Sequence, residues 1–280
     1  MSIRAGKIRS LIGIDHANKT DKGLQNLYKR LLKNGMHGLC FSPYEEGQGP
    51  GDQISEKQIR RRMKTIKPYT KWIRSFSCTD GNEAIPRIAH EYGIKTMVGA
   101  WLGDDPEINK REIAGLIKLA KEGFVNIAAV GNEVMYRKDL TEDELLAFMY
   151  QVKEAIPEIP MGYVDAYYEF SKRPRITEAC DVILANCYPF WEGCSLEYSL
   201  IYMKEMYNQA VRAGNGKKVI ISETGWPSMG GSFEGSHPSF PNAMKYFINT
   251  QLWSAADDIE IFYFSSFDES WKVGAEGDVG

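Results

Sequence analysis

Two glutamates, Glu133 and Glu223, each directly follow a short apolar run and are the side chains of this sequence best suited to chemistry. A buried charge costs stability unless other groups compensate it. Two carboxyls that face one cavity are the minimum equipment for cleaving a glycosidic bond, because one must donate a proton to the leaving oxygen while the other is ionised. The pattern therefore predicts a pair of catalytic carboxyls.

The two glutamates need different surroundings if their pKa values are to be pushed apart. We expect Glu223 to be the ionised one, stabilised by hydrogen bonds from Arg74 and Tyr188. We expect Glu133 to carry the proton, with a pKa raised mainly by the negative charge of Glu223. Asn132 is placed to hold a sugar 2-hydroxyl, a contact that strengthens in the transition state. Carboxyls about 5–5.5 Å apart would retain the anomeric configuration, through a covalent glycosyl-enzyme.

Eight continuous apolar runs predict the strands that position these residues, because strands buried on both faces lack polar alternation. The runs are Gly38–Ser42, Trp72–Ser77, Thr96–Trp101, Ile127–Gly131, Pro160–Val164, Val182–Asn186, Lys218–Ser222 and Ile261–Ser265. Segments with charged faces predict helices at Lys22–Lys33, Glu56–Ile66, Asn82–Tyr92, Asn109–Glu122, Glu142–Ala155, Leu196–Ala213 and Asn242–Ala256. The alternation predicts a single-domain α/β fold over residues 1–280, a (β/α)8 TIM barrel with residues 1–36 as an N-terminal extension.

Helix boundaries can be predicted from capping residues. Ser55 and the Thr141–Glu144 capping box predict two helix starts. Gly93, Gly123 and Gly214 predict three helix ends in the left-handed conformation. The sequence after the eighth strand is too short for a normal eighth helix, so we expect the N-terminal helix to cover that gap.

Aromatic residues follow several of the predicted strand ends, where the active site of a parallel barrel lies. A flat ring can cover the C–H face of a sugar, but the same ring can also pack over the core. We select Tyr136, Trp191 and Trp226 as candidate sugar platforms.

Four segments resemble glycoside hydrolase family 17, in matches that run in order along the chain. They are residues 130–134 (VGNEV), 185–191 (ANCYPFW), 218–230 (KVIISETGWPSMG) and 267–272 (FDESWK). The resemblance implies that Glu133 is the acid/base and Glu223 the nucleophile. It also implies that Glu269 and Lys272 line the glucose-binding cleft or support residues that do, although a surface salt bridge with this spacing would read the same way.

The resemblance implies a retaining enzyme that acts on laminarin-type β-1,3-glucan without a metal or an organic cofactor. Plant members carry an added subdomain between strands 6 and 7, whereas one helix takes most of this connection here. The shorter connection disfavours long-chain endo-hydrolysis and leaves exo-hydrolysis and glucanosyl transfer open. A non-catalytic glucan-binding barrel would require loss of a catalytic carboxyl. A mannan- or cellulose-active relative conflicts with the segment around Glu223.

Composition and charge exclude several other classes. The formal net charge of −3 is too balanced for a nucleic-acid or anionic-membrane partner. No stretch approaches the roughly 20 apolar residues of a membrane span. The four histidines lack ligand spacing, and the five cysteines lack C-x-x-C spacing, which predicts no metal site and buried free thiols. The charged N-terminus predicts no signal peptide. A polymeric substrate nevertheless favours an extracellular, cell-surface or periplasmic location. We also expect a monomer.

Overall fold

The computed structural model describes residues 19–272 and Gly274, and its eight parallel strands close into one barrel in chain order. The strands are β1 (Met36–Cys40), β2 (Thr70–Ser75), β3 (Lys95–Ala100), β4 (Ile127–Asn132), β5 (Met161–Ala166), β6 (Val182–Asn186), β7 (Lys218–Thr224) and β8 (Ile261–Tyr263). Pairing of β1 with β8 closes the sheet. The predicted (β/α)8 TIM barrel is therefore confirmed.

Helices connect the strands on the outside of the barrel. They are α1 (Asp21–Asn34), α2 (Glu56–Ile66), α3 (Ala84–Glu91), α4 (Pro106–Lys121), α5 (Val134–Arg137), α6 (Glu142–Ala155), α7 (Glu169–Lys172), α8 (Pro174–Ala179), α9 (Leu196–Gly214) and α10 (Phe240–Asp257), with a 3₁₀ turn at Lys67–Tyr69. The short helices α5, α7 and α8 were not predicted, because four to six residues are too few to show a helical period. Ser55 and the Thr141–Glu144 capping box start α2 and α6 as predicted.

Two of the three predicted glycine helix ends are confirmed. Gly93 and Gly123 follow α3 and α4 with φ values of 71° and 87°. Gly214 was a wrong prediction, because it remains in the last turn of α9 and Asn215 takes the left-handed conformation with φ 46°. Asparagine tolerates this conformation better than most residues, so it can end a helix as glycine does.

The N-terminal helix α1 packs beside α10, in the position that an eighth helix would occupy. Leu24 shares a buried cluster with Met244 and Ile248 of α10. The ring of Tyr28 lies 5.0 Å from that of Phe247, which in turn lies 5.1 Å from the ring of Tyr263 on β8. The expectation that α1 covers the strand 8 side is confirmed. Residues 1–18 of the predicted extension lie outside the described part of the chain.

Apolar side chains of the strands fill the barrel interior below its carboxyl end. A buried cluster drawn only from strands contains Cys40, Met97, Ile127, Ala129, Val164, Val182, Leu184, Ile220 and Phe262. Fully burying a Val, Leu, Ile, Phe or Met side chain contributes about 1.5–3 kcal/mol. This apolar layer fills the barrel, so a polar site can form only at the strand ends above it.

Candidate active site

The pairing register shifts at the ends of the strands that carry the candidate residues. The shifts lie between Ala129 and Asn132 on β4, between Ala185 and Asn186 on β6, and between Ile221 and Thr224 on β7. Bulges of this kind bend a strand and re-aim the side chains beyond them, and they recur next to active sites. They bring side chains of non-adjacent strands toward one point at the mouth of the barrel.

Glu223 lies at the end of β7 with both carboxylate oxygens occupied by donors. Arg74 donates from Nη1 to Oε1, and the Tyr188 hydroxyl donates to Oε2 at 2.7 Å. Only 7% of Glu223 is exposed. An ion pair and a hydrogen bond to the same buried group both favour its ionised form, which is what a nucleophile needs.

Arg74 joins the strand 7 carboxylate to strand 4. Its Nη2 donates to Asn132 Oδ1 at 2.7 Å, and its Nη1 also contacts the carbonyl of Ser222 at 3.2 Å. The guanidinium lies 4.5 Å from the centre of the Phe76 ring and is 1% exposed. A cation buried this deeply requires a charged partner, and Glu223 is that partner.

Glu133 follows β4 and has a different setting. Its Oε1 accepts a hydrogen bond from Asn186 Nδ2 at 2.9 Å, and Asn186 Oδ1 accepts one from the Ser222 hydroxyl at 2.8 Å. Asn186 is also the register partner of Glu223 across β6 and β7. The Asn186 amide therefore links the Glu133 carboxyl to Ser222 on β7, the residue before Glu223.

The backbone of Glu133 is left-handed, with φ 51° and ψ 26°. This conformation costs about 1–3 kcal/mol for a residue with a side chain, so the surrounding structure must hold it. The Glu133 N–H donates to the carbonyl of Val164 on β5 at 2.8 Å. Arg137 donates from Nη1 to the carbonyl of Asn132 at 2.6 Å. These bonds fix the turn that aims Glu133 into the site.

Burial raises the pKa of Glu133 to about 7, and the negative charge of Glu223 is the second cause. The sequence-based expectation placed the charge of Glu223 first, and that ranking was wrong. Burial removes much of the water that would hydrate the ionised carboxylate. The ionised form of Glu133 is therefore unfavourable even before the charge of Glu223 is considered. The result is a group that stays protonated where an ordinary glutamate is ionised, as a general acid requires.

Glu269 and Lys272 form a third feature of the barrel mouth. Lys272 Nζ lies 3.0 Å from Glu269 Oε2 and 4.4 Å from the centre of the Phe264 ring. The Phe264 ring in turn contacts that of Tyr188 edge-on at 6.3 Å. Burial raises the pKa of Glu269, and the charge of Glu223 contributes to the increase. Glu269 is buried and Lys272 half-buried, and the Phe264 ring connects this pair to Tyr188.

The three aromatic candidates occupy different settings. Tyr136, on α5, is 58% exposed. Trp191 is half-buried and packs edge-on against Phe190 at 5.1 Å. Trp226 is 5% exposed, its ring lies 5.3 Å from that of Tyr246, and its Nε1 donates to a backbone carbonyl at 3.1 Å.

Trp226 is therefore corrected from a sugar platform to a core residue. Its ring packs in the core against Tyr246 of α10 rather than lining the cleft. Sequence reasoning also missed Asn186 and Asp165. Asp165 follows the apolar run of strand 5, as Glu133 and Glu223 follow theirs, so that signal was present in the sequence.

Other kinds of site have less support. Within residues 19–272 and Gly274, no group of three or more His, Cys, Asp and Glu side chains could hold a metal ion. No helix in that part of the chain is both long and apolar enough to cross a membrane. All five cysteines are free thiols, and they are buried except for the half-buried Cys194.

Comparison with known proteins finds relatives that are named as glucan 1,3-beta-glucosidases. The chain is 26% identical to a glucan 1,3-beta-glucosidase of Saccharomyces cerevisiae over 80% of its length and 79% of that protein. It is 29% identical to a glucan 1,3-beta-glucosidase of Arthroderma benhamiae, over 82% of this chain and 79% of the other.

Among solved structures, a β-1,3-glucanosyltransferase of glycoside hydrolase family 17 from Rhizomucor miehei matches with a TM-score of 0.78 and 29% identity. The match covers 89% of this chain and 93% of that one. The BtgE/BtgC glycoside hydrolase domain matches residues 38–280, which include both candidate carboxyls and all eight strands apart from the first two residues of β1. The chain therefore belongs to the BtgE/BtgC glycoside hydrolase domain family.

Proposed function

We propose that this chain is a retaining glycoside hydrolase of family 17 that acts on β-1,3-glucan. The observation that carries the proposal is the contrast between two neighbouring carboxyls. Glu223 is paired with Arg74 and Tyr188, whereas Glu133 faces a neutral amide and has a pKa of about 7. The names of the relatives support the substrate class.

In the first step, Glu223 attacks the anomeric carbon while Glu133 donates its proton to the leaving oxygen. The glycosidic C–O bond breaks, and an ester bond to Glu223 forms. Esterification removes the negative charge of Glu223, which is one of the two main causes of the raised pKa of Glu133. The pKa of Glu133 therefore falls. Glu133, which has given up its proton, stays ionised and is the carboxylate that accepts a proton in the second step.

In the second step, Glu133 removes a proton from water as the water oxygen attacks the anomeric carbon. The ester bond breaks, Glu223 returns as a carboxylate, and the product keeps the β configuration. The ion pair with Arg74 is restored at the same time. Each glutamate thus returns to its starting protonation state without a metal or a cofactor in the cycle.

The other candidate residues, apart from Trp226, bind or position the sugar in this proposal. Asn132 Oδ1 is occupied by Arg74, so its amide nitrogen is the group that a 2-hydroxyl can contact. Tyr136 and Trp191 offer ring faces beside the two catalytic strands. Glu269 and Lys272 supply a charged pair for hydroxyl groups, and Trp226 takes no part.

Glucanosyl transfer is the second candidate, because the same covalent intermediate serves both reactions. In transfer, a sugar hydroxyl attacks instead of water. The similarity to the Rhizomucor miehei glucanosyltransferase favours this alternative. The short β6–β7 connection, formed mainly by α9, is compatible with exo-hydrolysis as well.

Product analysis of wild type and Glu223→Ala tests the proposal. Laminarin and short β-1,3-gluco-oligosaccharides are the substrates, with mass spectrometry for size and NMR for the anomer formed first. We expect β products from wild type and none from Glu223→Ala, and products longer than the substrate would identify transfer. Wild type that ignores these substrates but cleaves another β-glycan would overturn the substrate assignment.

We also propose that the protein works as a monomer outside the cytoplasm, in the medium, at the cell surface or in a periplasm. The support is chemical, since a glucan polymer does not cross a membrane. Cell fractionation tests the location, and light scattering on the purified protein tests the monomer. Activity confined to the cytosol, or a stable dimer, would contradict the respective part.

A further inference from the structure

Asp165, at the end of β5, is a fully buried carboxylate that the proposed reaction does not use. One of its oxygens, Oδ1, accepts a hydrogen bond from the Ala166 N–H at 2.7 Å. The other, Oδ2, accepts the Tyr163 hydroxyl and, at 3.4 Å, the Tyr136 N–H. Asp165 is 0% exposed, and burying a carboxylate lowers the stability of the fold unless its partners compensate.

Tyr163 extends this arrangement to the neighbouring strand end. Its hydroxyl donates to Asp165 and accepts the Met135 N–H at 2.9 Å. Met135 and Tyr136 lie in the first turn of α5, whose N–H groups have no partner within the helix. Asp165 and Tyr163 therefore satisfy two such groups directly after Glu133.

The helix α5 cannot hold this geometry alone. It is one turn long, and a single turn is unstable without outside contacts. It begins at Glu133, whose left-handed backbone is unfavourable for a side-chain-bearing residue. The support comes from β5, through Asp165, Tyr163 and the carbonyl of Val164.

We propose that Asp165 is a positioning residue for Glu133, acting through Tyr163 and the first N–H groups of α5. It keeps the turn at Glu133 closed, so that the Glu133 carboxyl stays on the Asn186 amide and opposite Glu223. This inference rests on the proposed function, in which Glu133 is the acid/base.

Charge gives Asp165 a second effect on the same residue. Burial raises the pKa of Asp165 to about 6. Its negative charge is one of the causes that raise the pKa of Glu133. The other charged or titratable groups that face this pair are Glu223, Arg137, Tyr163, Tyr168, Glu169 and Tyr188.

Two substrates separate positioning of the acid from general damage to the site. Laminaritetraose has a poor leaving group and needs the proton of Glu133. An aryl β-laminaribioside with a dinitrophenolate leaving group does not need it for glycosidic cleavage. The variants are Asp165→Asn, which removes the charge, and Tyr163→Phe, which keeps the charge but removes the hydroxyl link.

We expect kcat/KM on laminaritetraose to fall about 10- to 100-fold in both variants, as for a misplaced catalytic group. On the aryl substrate, measured in its glycosylation step, we expect little change. The alkaline limb of kcat/KM should move to lower pH in Asp165→Asn, because removing a neighbouring negative charge makes Glu133 a stronger acid.

Glu112→Gln is the matched control. Glu112 is also a buried carboxylate, 1% exposed, that accepts backbone N–H groups, those of Cys78 at 2.8 Å and Trp101 at 3.0 Å. It supports the loops after β2 and β3 instead of α5. We expect a lower melting temperature for this variant and an unchanged ratio between the two substrates.

The outcomes distinguish the two claims. Equal losses on both substrates with an unmoved alkaline limb, or no loss at all, would overturn the role of Asp165 while the proposed function stands. Wild type that cleaves neither substrate would overturn the proposed function, and this inference with it. If Asp165→Asn does not fold, the substrate ratio of Tyr163→Phe decides.

Discussion

The ends of β7 and β4 place the same side chain in opposite environments. Glu223 lies in β7, at a shift in the strand register, and has Arg74 and Tyr188 on its two oxygens. Glu133 sits on a left-handed turn, accepts from the neutral Asn186, and has a buried acid behind it. The surroundings at the end of β7 favour an ionised carboxyl, and those at the end of β4 favour a protonated one.

The difference shows how a barrel assigns two roles to one residue type. Neither role comes from the glutamate itself, because an isolated glutamate is ionised at neutral pH. The roles come from side chains on other strands of the barrel: β2 supplies a cation to Glu223, whereas β6 and β5 supply an amide and an acid to Glu133. Changing these neighbours should therefore erode the difference without touching either carboxyl.

The largest expected effect follows from removing Glu223, the proposed nucleophile. We expect Glu223→Gln to lower kcat by at least about 10⁴-fold on every substrate, whatever its leaving group, because no covalent intermediate can form. Steady-state kinetics on laminaritetraose and an aryl β-laminaribioside measure this loss. Near-normal activity on the aryl substrate would show that Glu223 is not the nucleophile.

Removing Glu133, the proposed acid/base, should give a loss that depends on the leaving group. We expect Glu133→Gln to lose about 10²- to 10⁴-fold on laminaritetraose and far less in the glycosylation step of the aryl substrate. Added azide, which needs no general base, should speed turnover of the aryl substrate and yield a β-glycosyl azide. Equal losses on both substrates and no azide product would remove Glu133 from this role.

A smaller effect is expected at one of the supports of Glu223. Tyr188→Phe removes one hydrogen bond to a buried charge, worth about 1.5–3 kcal/mol, so kcat/KM should fall about 10- to 100-fold. Tyr246→Phe is the matched control, since its buried hydroxyl contacts Thr224 at 2.6 Å on the side of β7 that faces the helices. Equal losses in the two variants would mean that Tyr188 acts only through packing.

The last prediction concerns stability rather than activity. The pKa of Glu133 rises from an ordinary 4.5 to about 7 on folding, so the folded protein favours the protonated form. Ionisation of Glu133 therefore costs nothing below about pH 4.5 and its full penalty, on the order of 3 kcal/mol, above about pH 7. Glu133→Gln should gain stability relative to wild type across this window. Urea unfolding at pH 4 and pH 8 measures the gain, and an equal difference at both values would contradict it.

Much of this site could be predicted from the sequence, because the rule for parallel barrels turns every strand end into a candidate position. Glu133, Glu223 and Tyr188 follow apolar runs, Arg74 lies within one, and the structure brings them together. The runs also placed β6 at its observed bounds and the other strand ends within two residues.

What sequence reasoning missed depends on the direction of single side chains. Trp226 lies three residues beyond Glu223, past a register shift, where strand alternation no longer tells inside from outside. Asp165 carries the same signal as the two catalytic candidates, yet its bonds to α5 depend on the left-handed turn at Glu133. Neither spacing nor composition reveals such a turn in a residue other than glycine.

The most direct test of the contrast is a ¹³C NMR titration of glutamate carboxyls in wild type, Glu133→Gln and Glu223→Gln. We predict a wild-type resonance that titrates near pH 7, is absent in Glu133→Gln, and shifts to lower pH in Glu223→Gln, where the neighbouring charge is gone. A resonance near pH 7 that disappears in Glu223→Gln and persists unshifted in Glu133→Gln would contradict the assignment of the two roles.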